Sequence, residues 1–185
     1  TALGTNVAKV RLVVVLAAGG GTRMRSKTVK VLHPIAGRSM IGHVLAAARE
    51  TGPERIVTVV GHQREEVSAH LREIAPDAVL AVQEEQLGTG HAVRVAVEAA
   101  GRLEGTVLVA YGDTPLLEGA SLRSFAAEHE AAQCAVSILS GIVENPFGYG
   151  RVLRNADGDV EAIVEEKDAT PAQREVREIN SGILA

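Results

Sequence analysis

The chain has 185 residues, which is enough for one globular domain that buries most of its apolar surface. Its 46% hydrophobic and 23% charged residues are ordinary for a soluble protein, and its net charge of −4 argues against a nucleic-acid-binding surface, which normally carries a basic excess. No apolar stretch is long enough to cross a membrane, so we predict a cytoplasmic protein without membrane partners. The single cysteine, Cys134, excludes an internal disulfide and, because apolar residues follow it, is predicted to be buried.

The first strong signal after a loose leader over residues 1–9 is an unbroken apolar run at residues 12–16, typical of a strand buried on both faces. Three glycines at residues 19–21 follow and permit a close backbone approach to a ligand. Four cations come next: Arg23, Arg25, Lys27 and Lys30. This order indicates a polyphosphate site, the alternative being a loop that only turns the chain. The loop lacks the glycine–lysine–serine/threonine end of a P-loop, and Met24 replaces the third glycine of a dinucleotide turn.

Alternating helix and strand patterns occupy the chain up to residue 111. Taken in order, they predict a helix capped by Ser39 and ended by Gly52 and Pro53, a strand at 56–60, a helix carrying Val67, Leu71 and Ile74 on one face, a strand at 78–82, a helix at 92–100 and a strand at 107–111. This alternation predicts a three-layer α/β fold around a parallel sheet. Ligands of such sheets bind beyond the carboxyl ends of the strands, where each conspicuous polar stretch of this sequence falls.

The pattern changes after a helix at residues 122–130. Strands are predicted at 135–140, 151–154, 160–165 and 179–184, with a turn at 155–158 and a short helix at 171–177. We expect mixed or antiparallel strands here, forming a substrate subregion added to a nucleotide-binding half.

Two polar loops follow predicted strands. In the loop from Gln83 to His91, the glutamine amide can match the polar edge of a uracil ring, and Gly88 and Thr89 can present backbone N–H groups to the same base. The alternative is a polar loop at a helix N-terminus, with His91 in a structural role. Asp113 closes the strand at 107–111 and is either a hard oxygen ligand for Mg²⁺ or the cap of the next helix.

The motif Leu-Ala-Ala-Gly-x-Gly-Thr-Arg-Met, followed by Lys-Val-Leu-His, resembles the nucleotide-sugar pyrophosphorylases. Within that family it is most similar to the uridyltransferase half of the bifunctional bacterial N-acetylglucosamine-1-phosphate uridyltransferase/glucosamine-1-phosphate acetyltransferases. The resemblance implies a Rossmann-like nucleotidyltransferase fold with a mixed, mostly parallel sheet. One position departs from the pattern, because the family usually has proline before the motif lysine and this chain has Val29, which loses some of the stiffness that proline would give.

The resemblance also implies a role for individual residues. It assigns nucleotide binding to Leu16, Ala17, Ala18, Gly19, Gly21, Thr22, Gln83, Gly88 and Thr89; sugar binding to Tyr111, Gly112, Gly150, Glu165 and Asn180; catalysis to Arg23 and Lys30; and Mg²⁺ binding to Asp113. The implied reaction joins UTP to N-acetylglucosamine 1-phosphate and releases pyrophosphate. No nucleophile–base pair is needed, because the sugar phosphate is already an anionic nucleophile.

The resemblance further implies that residues 1–185 are a single N-terminal nucleotidyltransferase domain of a longer enzyme. In that family the chain continues with a second Mg²⁺ ligand and a left-handed β-helix acetyltransferase domain, through which a homotrimer assembles. Two alternatives remain open at this point. One is a related enzyme with another base or sugar, such as a thymidylyltransferase, and the other is a nucleotide-binding fragment without activity.

Overall fold

In the computed structural model, the described residues are 9–19, 24, 26, 28–61 and 64–185, with only the backbone of Arg64. They form two compact units, the first ending at Ala135 and the second comprising Val136–Leu184. The predicted leader, apart from Lys9, lies outside the described residues. So do six residues of the predicted phosphate loop: Gly20, Gly21, Thr22, Arg23, Arg25 and Lys27.

The first unit contains six strands and four α-helices within its described residues. In chain order they are β1 (Val10–Ala17), a 3-10 helix (Lys30–Leu32), β2 (Pro34–Ile35), β3 (Arg38–Ser39), α1 (Met40–Arg49), β4 (Arg55–Val60), α2 (Arg64–Ile74), β5 (Val79–Val82), α3 (Thr89–Ala100), β6 (Thr106–Tyr111) and α4 (Gly119–Ala132). Strands β5, β4, β1 and β6 lie side by side in that order, and each adjacent pair is parallel. The predicted α/β alternation is therefore confirmed.

Strand β1 lies at the centre of these four strands. Its residue Val13 is paired with Ile56 of β4 on one side and with Leu108 of β6 on the other. Because both edges of β1 are hydrogen-bonded and both faces are covered, Val13, Val14 and Val15 are completely buried. This complete burial explains why the strand is a continuous apolar run in the sequence over residues 12–16.

Helix α1 begins where the sequence predicts. The Ser39 hydroxyl accepts a hydrogen bond from the backbone N–H of Gly42 at 3.1 Å and caps the helix. Its predicted apolar face is completely buried: Ile41, Val44, Leu45 and Ala48. The burial of residues spaced three and four apart is that of an amphipathic helix packed on a sheet.

The loops that follow the parallel strands meet at one edge of the sheet. The backbone N–H of Gly112, just after β6, donates to the carbonyl of Leu16 in β1 at 2.9 Å. The N–H of Gln83, just after β5, donates to the carbonyl of Val60 in β4 at 2.8 Å. These bonds bring the glycine loop, the Gln83 loop and the Asp113 loop to the same end of the sheet.

The second unit is antiparallel, as predicted for this half. It contains β7 (Ile138–Ile142), β8 (Arg151–Arg154), β9 (Val160–Val164), α5 (Pro171–Arg174) and β10 (Glu178–Leu184). Strand β10 pairs with β7 and with β8, and β8 pairs with β9. The predicted turn between β8 and β9 is present, with Gly158 at φ +90° and its N–H bonded to the Asn155 carbonyl.

Several sequence predictions about boundaries or burial need correction. The helix predicted at 122–130 begins at Gly119, and the helix predicted at 171–177 ends at Arg174. Cys134 is exposed, because α4 ends at Ala132 and Gln133 takes the left-handed conformation (φ +49°) that terminates a helix. For the same reason the predicted strand at 135–140 begins only at Ile138. Helix α3 begins at Thr89 instead of residue 92, directly after Gly88, whose φ of +92° turns the chain into the helix.

The hairpin of β2 and β3 was absent from the sequence prediction. Its turn has positive φ at both Ala36 (+48°) and Gly37 (+81°), the geometry of a tight two-residue hairpin. None of the helices in the described part of the chain is long and apolar enough to span a membrane.

Candidate active site

A cavity of about 420 Å³ opens in the first unit at the carboxyl ends of β1, β5 and β6. It is lined by Leu16, Ala17, Ala18, Gly19, Met24, Lys30, Val31, Gln83, Gln86, Gly88, Thr89, Ala92, Tyr111 and Asp113. Ten of these were assigned to the site from the sequence. The cavity therefore brings together the described part of the predicted nucleotide set, the predicted catalytic lysine and the predicted metal ligand. The predicted site residues Gly21, Thr22 and Arg23 lie outside the described residues.

Lys30 and Asp113 form an ion pair at this cavity. The Nζ atom of Lys30 lies 2.5 Å from Oδ2 of Asp113, and the two side chains are 36% and 30% exposed. Lys30 opens the 3-10 helix, and the residue before it, Val29, is buried with φ −58° and ψ 136°. Proline fixes φ close to this value, so the valine adopts the backbone conformation that the family's proline would impose.

Asp113 does not cap the following helix. Helix α4 begins at Gly119 and its N-cap residue is Glu118, so the capping alternative for Asp113 is wrong. The carboxylate is instead directed to Lys30 at the cavity. A carboxylate oxygen suits a hard divalent cation that takes its other ligands from substrate phosphates and water. Within the described residues there is no cluster of three or more histidine, cysteine or carboxylate side chains that could hold a metal by itself.

Gly112 sits between the ends of β6 and β1, and its lack of a side chain has a visible reason. A Cβ atom there would lie 3.3 Å from the Leu16 carbonyl oxygen and 3.4 Å from side-chain atoms of both Val31 and Ile41. Glycine therefore permits the close approach that places Tyr111 and Asp113 at the cavity.

The Gln83 side chain is buried, with 4% of its surface exposed, and holds its own loop together. Its Nε2 atom donates to the carbonyl of Gly88 at 3.1 Å and lies 3.1 Å from Nδ1 of His91. His91 lies in the first turn of α3, as expected of a structural residue. Thr89, another residue of the predicted base site, has its hydroxyl 3.0 Å from the hydroxyl of Tyr111. This hydrogen bond joins the start of α3 to the end of β6.

Sequence reasoning missed Gln86 as a member of the cavity. Its Nε2 atom donates to the carbonyl of Ala18 at 2.8 Å and so joins the Gln83 loop to the start of the glycine loop. A second glutamine three positions after Gln83 was the available signal, but the spacing alone gave no indication that it reaches a carbonyl 68 positions away in the chain.

Three of the predicted sugar-site residues lie together in the second unit. The carbonyl of Gly150 accepts a hydrogen bond from the N–H of Asn180 at 2.8 Å. Oε1 of Glu165 lies 3.2 Å from where a Cβ on Gly150 would be, so the carboxylate covers the glycine. The Asn180 side chain accepts from the N–H of Gly182 at 2.9 Å.

Curated relatives match this chain along nearly its whole length. The protein called Bifunctional protein GlmU from Thermobifida fusca is 59% identical over 177 residues, which cover 94% of this chain and 37% of the relative. The protein of the same name from Streptomyces avermitilis is 61% identical over 175 residues, covering 94% of this chain and 36% of the relative. The chain thus spans little more than a third of the length of these relatives.

Solved structures share the fold at low sequence identity. A UDP-glucose pyrophosphorylase complexed with UDP-glucose superposes with a TM-score of 0.71 at 19% identity, covering 95% of this chain and 75% of that structure. A Bacillus anthracis protein assigned as a glucose-1-phosphate thymidylyltransferase gives 0.73 at 18% identity, covering 94% and 70%. The predicted Rossmann-like α/β fold with a mixed sheet is confirmed.

The protein family described as "MobA-like NTP transferase domain" matches residues 13–176 of this chain. This segment begins in β1 and ends just before β10, so it includes both Lys30 and Asp113 as well as the Gln83 loop. Because the match covers most of the sequence, the chain belongs to the MobA-like NTP transferase domain family.

Proposed function

We propose that this chain transfers the uridylyl group of UTP to N-acetylglucosamine 1-phosphate, giving UDP-N-acetylglucosamine and pyrophosphate. The observation that carries the proposal is the Lys30–Asp113 pair at a cavity whose lining includes Leu16 to Gly19 and residues of the Gln83 loop. The identity of 59–61% to proteins named Bifunctional protein GlmU supports the same reaction. UDP-N-acetylglucosamine is a precursor of the bacterial cell wall, and we propose a cytoplasmic location, where UTP is available.

The reaction requires no covalent enzyme intermediate. An oxygen of the sugar 1-phosphate attacks the α-phosphorus of UTP in line, a new P–O bond forms, and the bond to the β-phosphate breaks. The electron pair of that bond leaves with pyrophosphate, so no oxidant and no general base is needed. Catalysis is then a matter of positioning two anions and neutralising the charge that accumulates between them.

The charged side chains have separate tasks in this reaction. Lys30 bridges the attacking phosphate and the α-phosphate, which requires its ammonium group to leave Asp113 when the substrates bind. Arg23, assigned from the sequence motif, neutralises the β- and γ-phosphates. These are fixed charges directed at groups that become more negative in the transition state, the arrangement in which electrostatic stabilisation is largest.

A divalent metal is general among nucleotidyltransferases, and we propose that Mg²⁺ is the ion and Asp113 its protein ligand in this chain. Mg²⁺ commonly binds through one or two carboxylates together with substrate phosphates and water, which suits a single aspartate at a nucleotide cavity. Bound there, the ion would supply positive charge against the triphosphate.

Binding selectivity is divided between the two units in this proposal. Gln83, Gly88 and Thr89 contact the uracil base, while Leu16 to Gly19 with Gly21 and Thr22 approach the nucleotide through their backbone. In the second unit we propose sugar-binding roles for Gly150, Glu165 and Asn180, and in the first unit for Tyr111 and Gly112.

We also propose that the chain is the N-terminal nucleotidyltransferase domain of a longer homotrimeric enzyme. The relatives' greater length supports this, since the matched segment covers 36–37% of them. The continuation would supply a second Mg²⁺ ligand and an acetyltransferase domain.

The test is pyrophosphate release from UTP and N-acetylglucosamine 1-phosphate with Mg²⁺. It is measured on residues 1–185 and on a chimera in which the Thermobifida fusca relative supplies the residues after the matched segment. Release by the chimera supports the reaction, and release by the chimera alone also places a needed ligand in the continuation. A chimera that prefers dTTP or glucose 1-phosphate would make the protein a related enzyme of other specificity, and no release with any pair would contradict an enzymatic role.

A further inference from the structure

A buried arginine in the second unit has no role in the reaction described above. Arg151, the first residue of β8, is 1% exposed, and its Nη2 atom lies 2.7 Å from Oε2 of Glu166. Each partner of this ion pair adjoins a residue of the proposed sugar site, since Gly150 precedes Arg151 and Glu165 precedes Glu166.

The guanidinium of Arg151 holds the backbone at two places, one of them directly before Gly150. Its Nη1 atom donates to the carbonyl of Tyr149, the residue before Gly150, and its Nη2 atom donates to the carbonyl of Arg174 at 3.4 Å. The residue opposite Arg151 in β9 is Val164, which directly precedes Glu165. Arg151 therefore bonds to the residue before Gly150 and lies opposite the residue before Glu165.

The Glu166 carboxylate holds the turn before Gly150. Its Oε2 atom accepts a hydrogen bond from the N–H of Gly148 at 3.1 Å, and Gly148 has φ +86°, a conformation that favours glycine. The adjacent turn is closed by a bond from the N–H of Tyr149 to the carbonyl of Pro146 at 3.1 Å. Hydrogen bonds first from Arg151 and then from Gly148 keep the pKa of the Glu166 carboxyl below its usual value, which favours the ionised carboxylate.

We propose that the Arg151–Glu166 ion pair is a positioning element that fixes the backbone of Gly150 and the carboxylate of Glu165 for the sugar phosphate. This inference rests on the proposed function. A buried ion pair is seldom more stabilising than apolar residues of the same size, so stability alone is a weak reason to bury an arginine. The pair supplies fixed hydrogen bonds to two backbone groups just before Gly150, which apolar side chains cannot do, and binding sites depend on such supporting contacts.

The test compares Glu166→Ala and Glu166→Gln with the unchanged protein, using the chimera described above. Glu166→Ala removes the carboxylate that accepts from Arg151 Nη2 and from the Gly148 N–H and that lies 3.7 Å from Arg174 Nε. We expect the KM for N-acetylglucosamine 1-phosphate to rise about ten-fold while the KM for UTP changes by less than about two-fold. Glu166→Gln keeps an acceptor oxygen for both groups, and we expect a rise of about three-fold. A purely structural role would instead lower the active fraction and hence kcat, with both KM values unchanged.

The matched control is Glu178→Gln, which removes a carboxylate that pairs with Arg154 at 2.7 Å elsewhere in the same unit. It leaves the contacts of Tyr149 and Gly148 intact, so we expect neither KM to change. Amide hydrogen exchange over residues 146–150 provides a second readout and should accelerate in Glu166→Ala only.

Unchanged KM values in Glu166→Ala, or a loss of kcat alone, would overturn the inference while the unchanged protein remains active. An inactive unchanged protein would instead overturn the proposed function, and the inference with it.

Discussion

Lys30 Nζ lies 2.5 Å from Asp113 Oδ2, although 83 residues separate the two in the sequence. One charge of this pair is proposed to bind phosphate and the other to bind a divalent metal, so the ion pair uses the two groups that the proposed ligands need. Both side chains are about one-third exposed, and ion pairs at that exposure contribute only about 0–1 kcal/mol. Incoming phosphates and a metal ion can therefore separate the pair at little cost.

The first prediction concerns turnover. We expect kcat to fall by about 10²–10³ in each of three variants: Lys30→Ala, Asp113→Asn and Arg23→Ala. The lysine and arginine variants lose a positive charge that stabilises the transition state, and the aspartate variant loses the proposed metal ligand. The measurement is steady-state pyrophosphate release at saturating substrates. The control is Lys9→Ala, which removes a lysine that is 66% exposed and pairs with Glu54. A near-normal kcat in Lys30→Ala would rule out the phosphate-bridging role.

The second prediction concerns metal affinity without nucleotide. Lys30→Ala frees the carboxylate of Asp113, so we expect Mn²⁺, used as a probe for Mg²⁺, to bind about three-fold more tightly, a gain of about 0.7 kcal/mol that matches the value of the ion pair. Asp113→Asn should abolish this binding. Calorimetric titration provides the affinities, with Lys9→Ala matching the change in net charge. Equal affinities in Lys30→Ala and the unchanged protein would mean that Lys30 and the metal do not compete.

The third prediction concerns the uracil loop. Gln83→Ala removes the side chain that holds the Gly88 carbonyl and contacts His91, so we expect the KM for UTP to rise about ten-fold, the equivalent of one buried hydrogen bond of about 1–1.5 kcal/mol. The KM for the sugar phosphate should stay the same. Glu85→Gln, an exposed substitution in the same loop, is the control. An unaltered KM for UTP would remove Gln83 from the base site.

The fourth prediction concerns the pH dependence of stability. Hydrogen bonds from Arg154 and then Ser140 lower the pKa of Glu178 from 4.5 to about 2. Because the folded-state pKa is the lower one, the stabilisation is complete above pH 4.5 and is lost as the pH falls towards 2. Glu178→Gln should therefore cost about 1 kcal/mol at pH 7 and progressively less as the pH decreases.

Urea unfolding at pH 7, 4 and 3 gives the free energy of unfolding of Glu178→Gln and of the unchanged protein, and the difference is compared between the three pH values. The control is Glu104→Gln, whose carboxylate pairs with Arg102 in a side-chain pair that is more than 80% exposed, and which should show no such trend. If Glu178→Gln lowered the free energy of unfolding by the same amount at every pH, the lowered pKa of Glu178 would be contradicted.

The sequence predicted those parts of the fold in which burial follows a simple period. Strand β1 was recognisable because its residues 12–16 are apolar without interruption, and α1 because its apolar residues are spaced three and four apart behind a serine cap. Boundaries failed where a single backbone conformation decided them. Because Gln133 is left-handed, β7 begins later than predicted and Cys134 is exposed. Nothing in the apolar sequence around that cysteine indicates the turn.

The site was predictable as a set of residues but not as a set of contacts. The motifs indicated that Lys30 and Asp113 belong to one site, yet they gave no sign that the two side chains pair with each other, because that depends on the register of β1 beside β6. Arg151 was recognised only as a strand residue. A buried arginine has no periodic signature in a sequence, since its burial depends on Glu166, 15 positions further along the chain.

The placement of the two tyrosines has a practical consequence. The protein has no tryptophan and only two tyrosines, and one lies in each unit: Tyr111 lines the cavity of the first, while Tyr149 is half exposed on the turn before Gly150 in the second. Ultraviolet emission of the unlabelled protein therefore comes from two phenol rings, with no indole to absorb their excitation energy. With Tyr149→Phe the remaining emission reports on the nucleotide cavity, and with Tyr111→Phe it reports on the turn beside the proposed sugar site. Each half of the reaction thus has its own built-in optical reporter.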